Sequence, residues 1–300
     1  MAVSNPTEYR RKLVKRRRNA VVFRGVCVSA ILLSLLMLAA LLYSVLAEAL
    51  KWFNLDGSSI VTLLTDIPSS KAVASGLWPA IVGTLWVMGI CIVASFTVGV
   101  AAAIYLEEYA GGRRIDELIQ VNIQNLAAVP SIVYGILGLT IFVAVFALGK
   151  SVLTAGLTLA LLIMPVVIVS AEEAIRAVPS TVREGGYALG ATRWQVVWRL
   201  VLPQAMPGIL TGIILAVSRA MGEAAPLVIM GALSFVPFAP TSPLDRFTVL
   251  PIQIYVWISK PQEEFQQLAA AGIVVLLIML LGLNAAAILL RNHLQSKHRG

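Results

Sequence analysis

The sequence predicts an all-α polytopic membrane protein of six transmembrane helices with both termini in the cytoplasm. Three observations predict it. Of 300 residues, 59% are hydrophobic and only 13% charged, against about 25% charged in a soluble domain. Six apolar segments approach or exceed the ~20 residues that a helix needs to cross the hydrocarbon core. The basic residues also fall mostly on one side of those segments. With the N-terminus inside, seventeen Lys and Arg are cytoplasmic, five are external, and Arg219 lies within a span. That asymmetry sets orientation.

The elements follow in order. A basic tail, 1–22, contains RRKLVKRRR at 10–18. Beside an apolar span, such a cluster sets topology or touches anionic membrane lipid. The net charge of +8 therefore does not imply nucleic acid. The first span, about 23–47, outruns the 7–15 apolar residues of a signal peptide and reads as an uncleaved anchor. The second is about 78–106. The third, about 121–148, contains Pro130, which should break the helical ladder near Gln124, Asn125 and Leu126. Pro165 in the fourth span, about 152–171, and Pro226 in the fifth, about 206–235, read as kinks. The sixth is about 267–290. The six-helix domain thus covers 23–291, with a short cytoplasmic tail at 292–300. An outer loop at 236–266 is rich in proline and aromatics, and its Trp and Tyr suit a membrane interface.

Several chemistries are excluded. Cys27 and Cys91 both sit in apolar segments, and the two histidines lie in the last eight residues. No disulfide framework and no metal site can be built from them. No metalloprotease or nucleophile-elbow motif occurs. Gly149-Lys150-Ser151 imitates the end of a phosphate-binding loop, but that motif needs a glycine at 144, which is alanine. Glu107, Glu108, Asp116 and Glu117 flank Gly111-Gly112 and read as a solvated inner loop.

The inner loop at 172–205 is the most informative stretch. Ser180 can cap one short helix, Gly190 can turn the chain, and Thr192 can cap a second that Pro203 ends. Trp194, Val197, Trp198 and Val201 share one face of that second helix by spacing. Two readings stand: an amphipathic hairpin on the lipid surface, or a docking element for a groove on a cytoplasmic partner.

Glu184-Gly185-Gly186, three residues, Gly190, nine residues, then Leu200, Val201, Leu202 and Pro203 resembles the EAA motif of bacterial ABC importer permeases. That motif reads Glu-Ala-Ala, three residues, Gly, nine residues, Ile, one residue, Leu-Pro. The spacing matches throughout; Gly replaces both Ala, and Leu replaces Ile. LAAVPSIVYGILGL at 126–139 and SRAMGEAAPLVIMGA at 218–232 resemble the phosphate importer permeases of the Pst system. LPIQIYVW at 250–257 brings the chain nearer to PstA-like than to PstC-like subunits. The likeness runs from about 75 to 292. It implies a type I ABC importer permease fold and a loop that couples to ATP hydrolysis through Glu184, Gly185, Gly186, Gly190, Leu200, Leu202 and Pro203. It implies as partners a PstB-like dimer of ATP-binding subunits, a PstC-like second permease and a PstS-like extracytoplasmic phosphate-binding protein. No cofactor is then bound directly, because ATP is used by the partner, and the chain itself is no enzyme.

Arg219 and Glu223 are the anomaly. Each charge at a span's centre costs about 2.5–3.5 kcal/mol on insertion scales. Spaced i, i+4, they share a helical face that points at another helix or a watery path. One reading is a structural ion pair. The other is a substrate path, in which the guanidinium fork receives phosphate oxygens and the carboxylate accepts from phosphate hydroxyls that sulfate lacks. Asn125, Ser131 and Tyr134 around the Pro130 break could line the same path, or the break could be a packing kink. The alternatives in function are a permease for another oxyanion, such as sulfate or molybdate, and a membrane sensor or enzyme.

Overall fold

A computed structural model of the chain describes residues 6–111, 114–231 and 235–297. Among them every regular element is helical. The elements are α1 (Pro6–Phe53), α2 (Ile60–Thr65), α3 (Trp78–Ile104), α4 (Arg114–Ala127), α5 (Ser131–Gly138), α6 (Val152–Arg176), α7 (Ser180–Ala188), α8 (Arg193–Val196), α9 (Leu202–Met221), α10 (Ala225–Ile229), α11 (Leu250–Ile258) and α12 (Glu263–Lys297). Helices α3, α5 and α8 each continue into a wider turn, Tyr105–Tyr109, Leu139–Val145 and Val197–Val201.

Among the described residues, five segments are long and apolar enough to cross a membrane unbroken: Asn19–Phe53, Trp78–Tyr109, Val152–Arg176, Arg193–Met221 and Glu263–His293. The predicted third span is instead two helices, α4 and α5 with its wider turn, bent by 106°. Proline explains the break. Pro130 has no N–H to donate and its φ is fixed, so the ladder fails just before it. The Leu126 carbonyl, deprived of an N–H at position 130, accepts instead from Val129 N–H at 3.1 Å and from the Tyr134 hydroxyl at 2.9 Å.

Helix α6 is the hub, buried along most of its length between α3 and α9. Lipid tails are as apolar as leucine, so close backbone approach holds these crossings together. Gly156 of α6 meets Val87 and Ile90 of α3, and Gly99 of α3 meets Val167. Those contacts advance together along both chains, so α3 and α6 run parallel. Gly208 of α9 meets Ala174 and Gly212 meets Ser170, which makes α9 antiparallel to α6. Parallel neighbours need a return crossing between them. The bent α4–α5 pair is the segment that supplies it, which gives six crossings.

Helix α1 packs against α12 through its outer end, where Ala49 and Trp52 are buried. The predicted outer loop departs from expectation. Rather than lying along the interface, residues 247–257 turn into the bundle, with Phe247, Leu250, Ile252 and Trp257 buried. Thr84 anchors them: its Oγ1 accepts from Leu250 N–H at 3.0 Å and donates to the Ala80 carbonyl at 2.7 Å.

Candidate functional site

The loop at 172–205 contains two short helices joined at Gly190, whose φ is +78°. That left-handed turn suits glycine. Pro179, not Ser180, occupies the cap of α7 and makes no side-chain cap bond. Thr192 caps α8 in a capping box: its Oγ1 accepts from Gln195 N–H at 3.4 Å, and Thr192 N–H donates to Gln195 Oε1 at 2.9 Å. Pro203 does not end the second helix. The wider turn at Val197–Val201 leads straight into α9, where Pro203 lies in the first turn, a position that needs no N–H donor.

The wider turn also breaks the single face that the spacing predicts. Val196, Val197 and Val201 are buried, whereas Trp194 and Trp198 point outward, 59% and 53% exposed, with rings stacked at 5.2 Å. Leu189, at the turn between the two helices, is 90% exposed as well. Glu184 and Gly185 are exposed, Gly186 is buried against Val196 and Leu200, and Leu200, Leu202 and Pro203 are partly or fully buried.

What sequence reading missed is how this loop is tied down. Glu107 and Glu108 are not a solvated loop. Glu108 is 4% exposed, and its Oε1 accepts from Arg183 Nε at 2.9 Å and Nη2 at 2.7 Å. The same guanidinium donates to the carbonyls of Val178 at 2.7 Å and Ile175 at 3.0 Å. Glu107 accepts from Arg176 at 2.9 Å, and Arg193 lies 5.2 Å over the Tyr109 ring. The C-terminal end of α3 is thereby bound to both helices of the loop. The local signal, two acids at the end of an apolar run, looked like ordinary solvated charge; the partner lies 75 residues away.

The charged pair sits where α9 stops. The helix ends at Met221, and Glu223 lies in the turn before α10, so the two residues do not share one continuous helix. Their closest approach is Arg219 Nε to Glu223 Oε1 at 3.7 Å, longer than a hydrogen bond. By the register of Gly208 and Gly212 against α6, Arg219 is level with Ile163, near the middle of α6. Its side chain is 58% exposed on the bundle's outer face, while that of Glu223 is 22% exposed and lines a small crevice with Thr84, Met88 and Leu159. Next to Arg219, Ser218 Oγ is 2.6 Å from Asn284 Oδ1 of α12, a polar tie that periodicity did not reveal. The open guanidinium can offer parallel donors to an oxyanion, geometry suited to bidentate contact.

The Pro130 break lies close by, since a Cβ added to Gly135 would lie 2.7 Å from the backbone of Pro226, three residues after Glu223. Tyr134 is buried and its hydroxyl is used within the break. Ser131 is half-buried at the start of α5 and Asn125 is exposed at the end of α4. The structure brings two interrupted spans together here, the arrangement in which freed backbone groups can serve a transported ion.

Residues 95–300 match the family described as binding-protein-dependent transport system inner membrane component. The phosphate transport system permease protein PstA 1 of Mycobacterium tuberculosis is 31% identical over 290 residues, 95% of this chain and 93% of that protein. PstA of Yersinia pestis is 31% identical over 93% of this chain and 92% of its own. A probable ABC transporter permease of Bacillus subtilis, YqgI, is 30% identical over 83% of this chain and 90% of its own. Among solved structures, a bacterial ABC transporter that imports alginate superposes with a TM-score of 0.64 at 15% identity, over 94% of this chain and 99% of that one. The MetNI methionine transporter gives 0.55 at 16% identity, over 73% and 94%. The fold is that of type I ABC importer permeases, and the chain belongs to the binding-protein-dependent transport system inner membrane component family.

Proposed function

We propose that this membrane permease subunit imports inorganic phosphate by alternating access, driven by ATP that a separate subunit hydrolyses. The observation that carries the reading is a guanidinium at mid-bundle with its fork open, in a chain 31% identical to phosphate permeases along nearly its whole length. A cation on a membrane-embedded helix faces protein or a watery path rather than lipid. The exposed face of α9 that bears Arg219 therefore meets a second, PstC-like permease, with the path between the two. Phosphate monoanion, which carries two hydroxyls at neutral pH, would receive donors from Arg219 and give a proton to a hydrogen bond with Glu223. The loose, unclosed pair keeps binding weak enough for release. Asn125, Ser131 and Tyr134 would border the path at the Pro130 break.

The exposed apolar side chains of Leu189, Trp194 and Trp198 would enter a groove of a PstB-like ATP-binding dimer. Because α8 leads without interruption into α9, ATP-driven closure of that dimer would move Arg219. A PstS-like binding protein would deliver phosphate from outside. Both termini and the coupling loop at 172–205 would lie in the cytoplasm, and the chain in the cytoplasmic membrane.

The test is radiolabelled phosphate uptake at low external phosphate, in cells lacking the chromosomal gene and complemented with this chain. Rescue that excess sulfate does not compete away supports the reading. Rescue of sulfate or molybdate uptake instead would replace the cargo while keeping the permease. Failure of the membrane-inserted chain to co-purify with an ATPase would remove the importer reading itself.

A further inference from the structure

We propose that the outer mouth of this chain carries a second oxyanion site, between Lys150 and Arg246. A cavity of about 510 Å3 opens there, lined by Gly149, Lys150, Gly231, Leu244, Arg246 and Phe247. Its two cations come from chain segments almost a hundred residues apart, which backbone hydrogen bonds hold together. Val152 N–H donates to the Asp245 carbonyl at 3.0 Å, and Leu153 N–H to the Pro243 carbonyl at 2.8 Å. Ser151 and Thr154 brace the same corner, with Thr154 Oγ1 donating to the Gly149 carbonyl at 2.8 Å. Gly231, at φ +83°, leaves the room that the lysine stem fills: a Cβ there would lie 2.6 Å from Lys150 Nζ.

The carboxylate beside these cations is turned away from them. Asp245 accepts from Thr241 N–H at 2.9 Å, Ser242 N–H at 2.8 Å and Thr241 Oγ1 at 3.1 Å. Those backbone donors, Thr241 first, hold its carboxyl below the usual value, so it is an anion committed to its own turn. Elsewhere on the outer side, Lys51 is paired with Glu48 at 2.6 Å and Lys260 lies 3.5 Å over the Phe265 ring. Lys150 and Arg246 have no such partner among the described residues.

The placement suits an entry site. Gly231 follows one end of α10 and Glu223 stands just before the other, so the five-residue helix alone puts about 7.5 Å of rise between them. A concave wall with an ammonium and a guanidinium favours a small oxyanion of the phosphate class, held weakly because both groups remain solvated. A lipid phosphate headgroup presents the same chemistry. The site is inferred from its own geometry, and rests on the proposed function only for what lies downstream of it.

The experiment is lysine acetylation, read by mass spectrometry, on the purified whole transporter without its binding protein. It is run in detergent and in nanodiscs of phosphatidylcholine with or without phosphatidylglycerol. Millimolar inorganic phosphate should slow acetylation of Lys150 by about five-fold relative to chloride at equal ionic strength, as mass action requires when the site is mostly filled. Lys71 should be unaffected. Arg246→Gln should abolish the protection and Arg246→Lys should keep part of it, with both variants still co-purifying in the complex. Protection by phosphatidylglycerol without phosphate would support the site and assign it to a headgroup. Protection by neither, or protection unchanged in Arg246→Gln, overturns the proposal. If phosphate uptake fails while Lys150 is still protected, the proposed function falls and the site stands. If uptake succeeds without protection, the site alone falls.

Discussion

Two arginine–glutamate pairs, one binding the loop at 172–205 to α3 and one at the end of α9, differ in nearly every respect. Arg183 and Glu108 are within 2.7 Å, with the carboxylate buried and the guanidinium's other donors used on two backbone carbonyls. Arg219 and Glu223 approach only to 3.7 Å, and the arginine is more than half exposed. The first is a finished joint whose groups are satisfied. The second leaves donors to spare, as the proposed site for a passing anion requires and a brace does not.

The sharpest test of that contrast is Arg219→Gln. Phosphate uptake should fall by about 100-fold or more, since a charge-assisted fork is replaced by a neutral amide. The melting temperature of the assembled transporter should barely move, because an exposed pair contributes about 0–1 kcal/mol. Equal losses in stability and uptake would make the two pairs alike and end the distinction.

Arg183→Ala should do the converse. Breaking a buried pair from one side costs about 3–5 kcal/mol, so the transporter should melt earlier. Restoring neutrality with Arg183→Leu in a Glu108→Gln background should recover part of the loss. A melting curve unchanged by Arg183→Ala would show that the joint is slack too.

A smaller loss is expected where the broken spans meet. Gly135→Ala places a Cβ 2.7 Å from the backbone of Pro226, and overpacking of this kind costs about 1–3 kcal/mol. Uptake should fall more than expression. Gly185→Ala should act in the other direction. No atom lies within 4 Å of its added methyl, and removing a glycine from a helix yields about 0.5–1 kcal/mol. Cysteine cross-linking to the ATPase should be unimpaired in that variant.

The smallest effect lies in pH. Asp245 has a lowered pKa because backbone N–H groups favour its ionised form. Its support of the outer turn is therefore complete above the unfolded aspartate value of about 3.9 and lost as pH falls through the lower folded value. Hydrogen exchange at Thr241 and Ser242 should accelerate only in that acid range, and at all pH values in Asp245→Asn.

The apolar spans were legible because lipid demands long runs, and the coupling loop because its glycine and its threonine cap are local signals. The Pro130 break was legible for the same reason, although a 106° bend depends on what Tyr134 and α10 do nearby. The stop of α9 at Met221 was not legible. Nothing in SRAMGEAAP but Gly222 marks it, and Pro226 at the start of α10 read as a kink. The dive of residues 247–257 into the bundle was hidden because its aromatics fit an interface equally well. The clamp on Glu108 was hidden because one sequence does not report which distant arginine meets which carboxylate.

The unbroken stretch from Arg193 to Met221, 29 residues, also has a mechanical meaning. At 1.5 Å per residue it is a rod of about 43 Å, stiffer than the turns at either end. If it pivots near its midpoint, where Gly208 and Gly212 cross α6, a tilt of about 5° sweeps each end through about 2 Å. That distance equals the difference between a bidentate contact and none. The interruption after Met221 then acts as a joint, so the motion is spent at the guanidinium and does not travel on into the outer mouth.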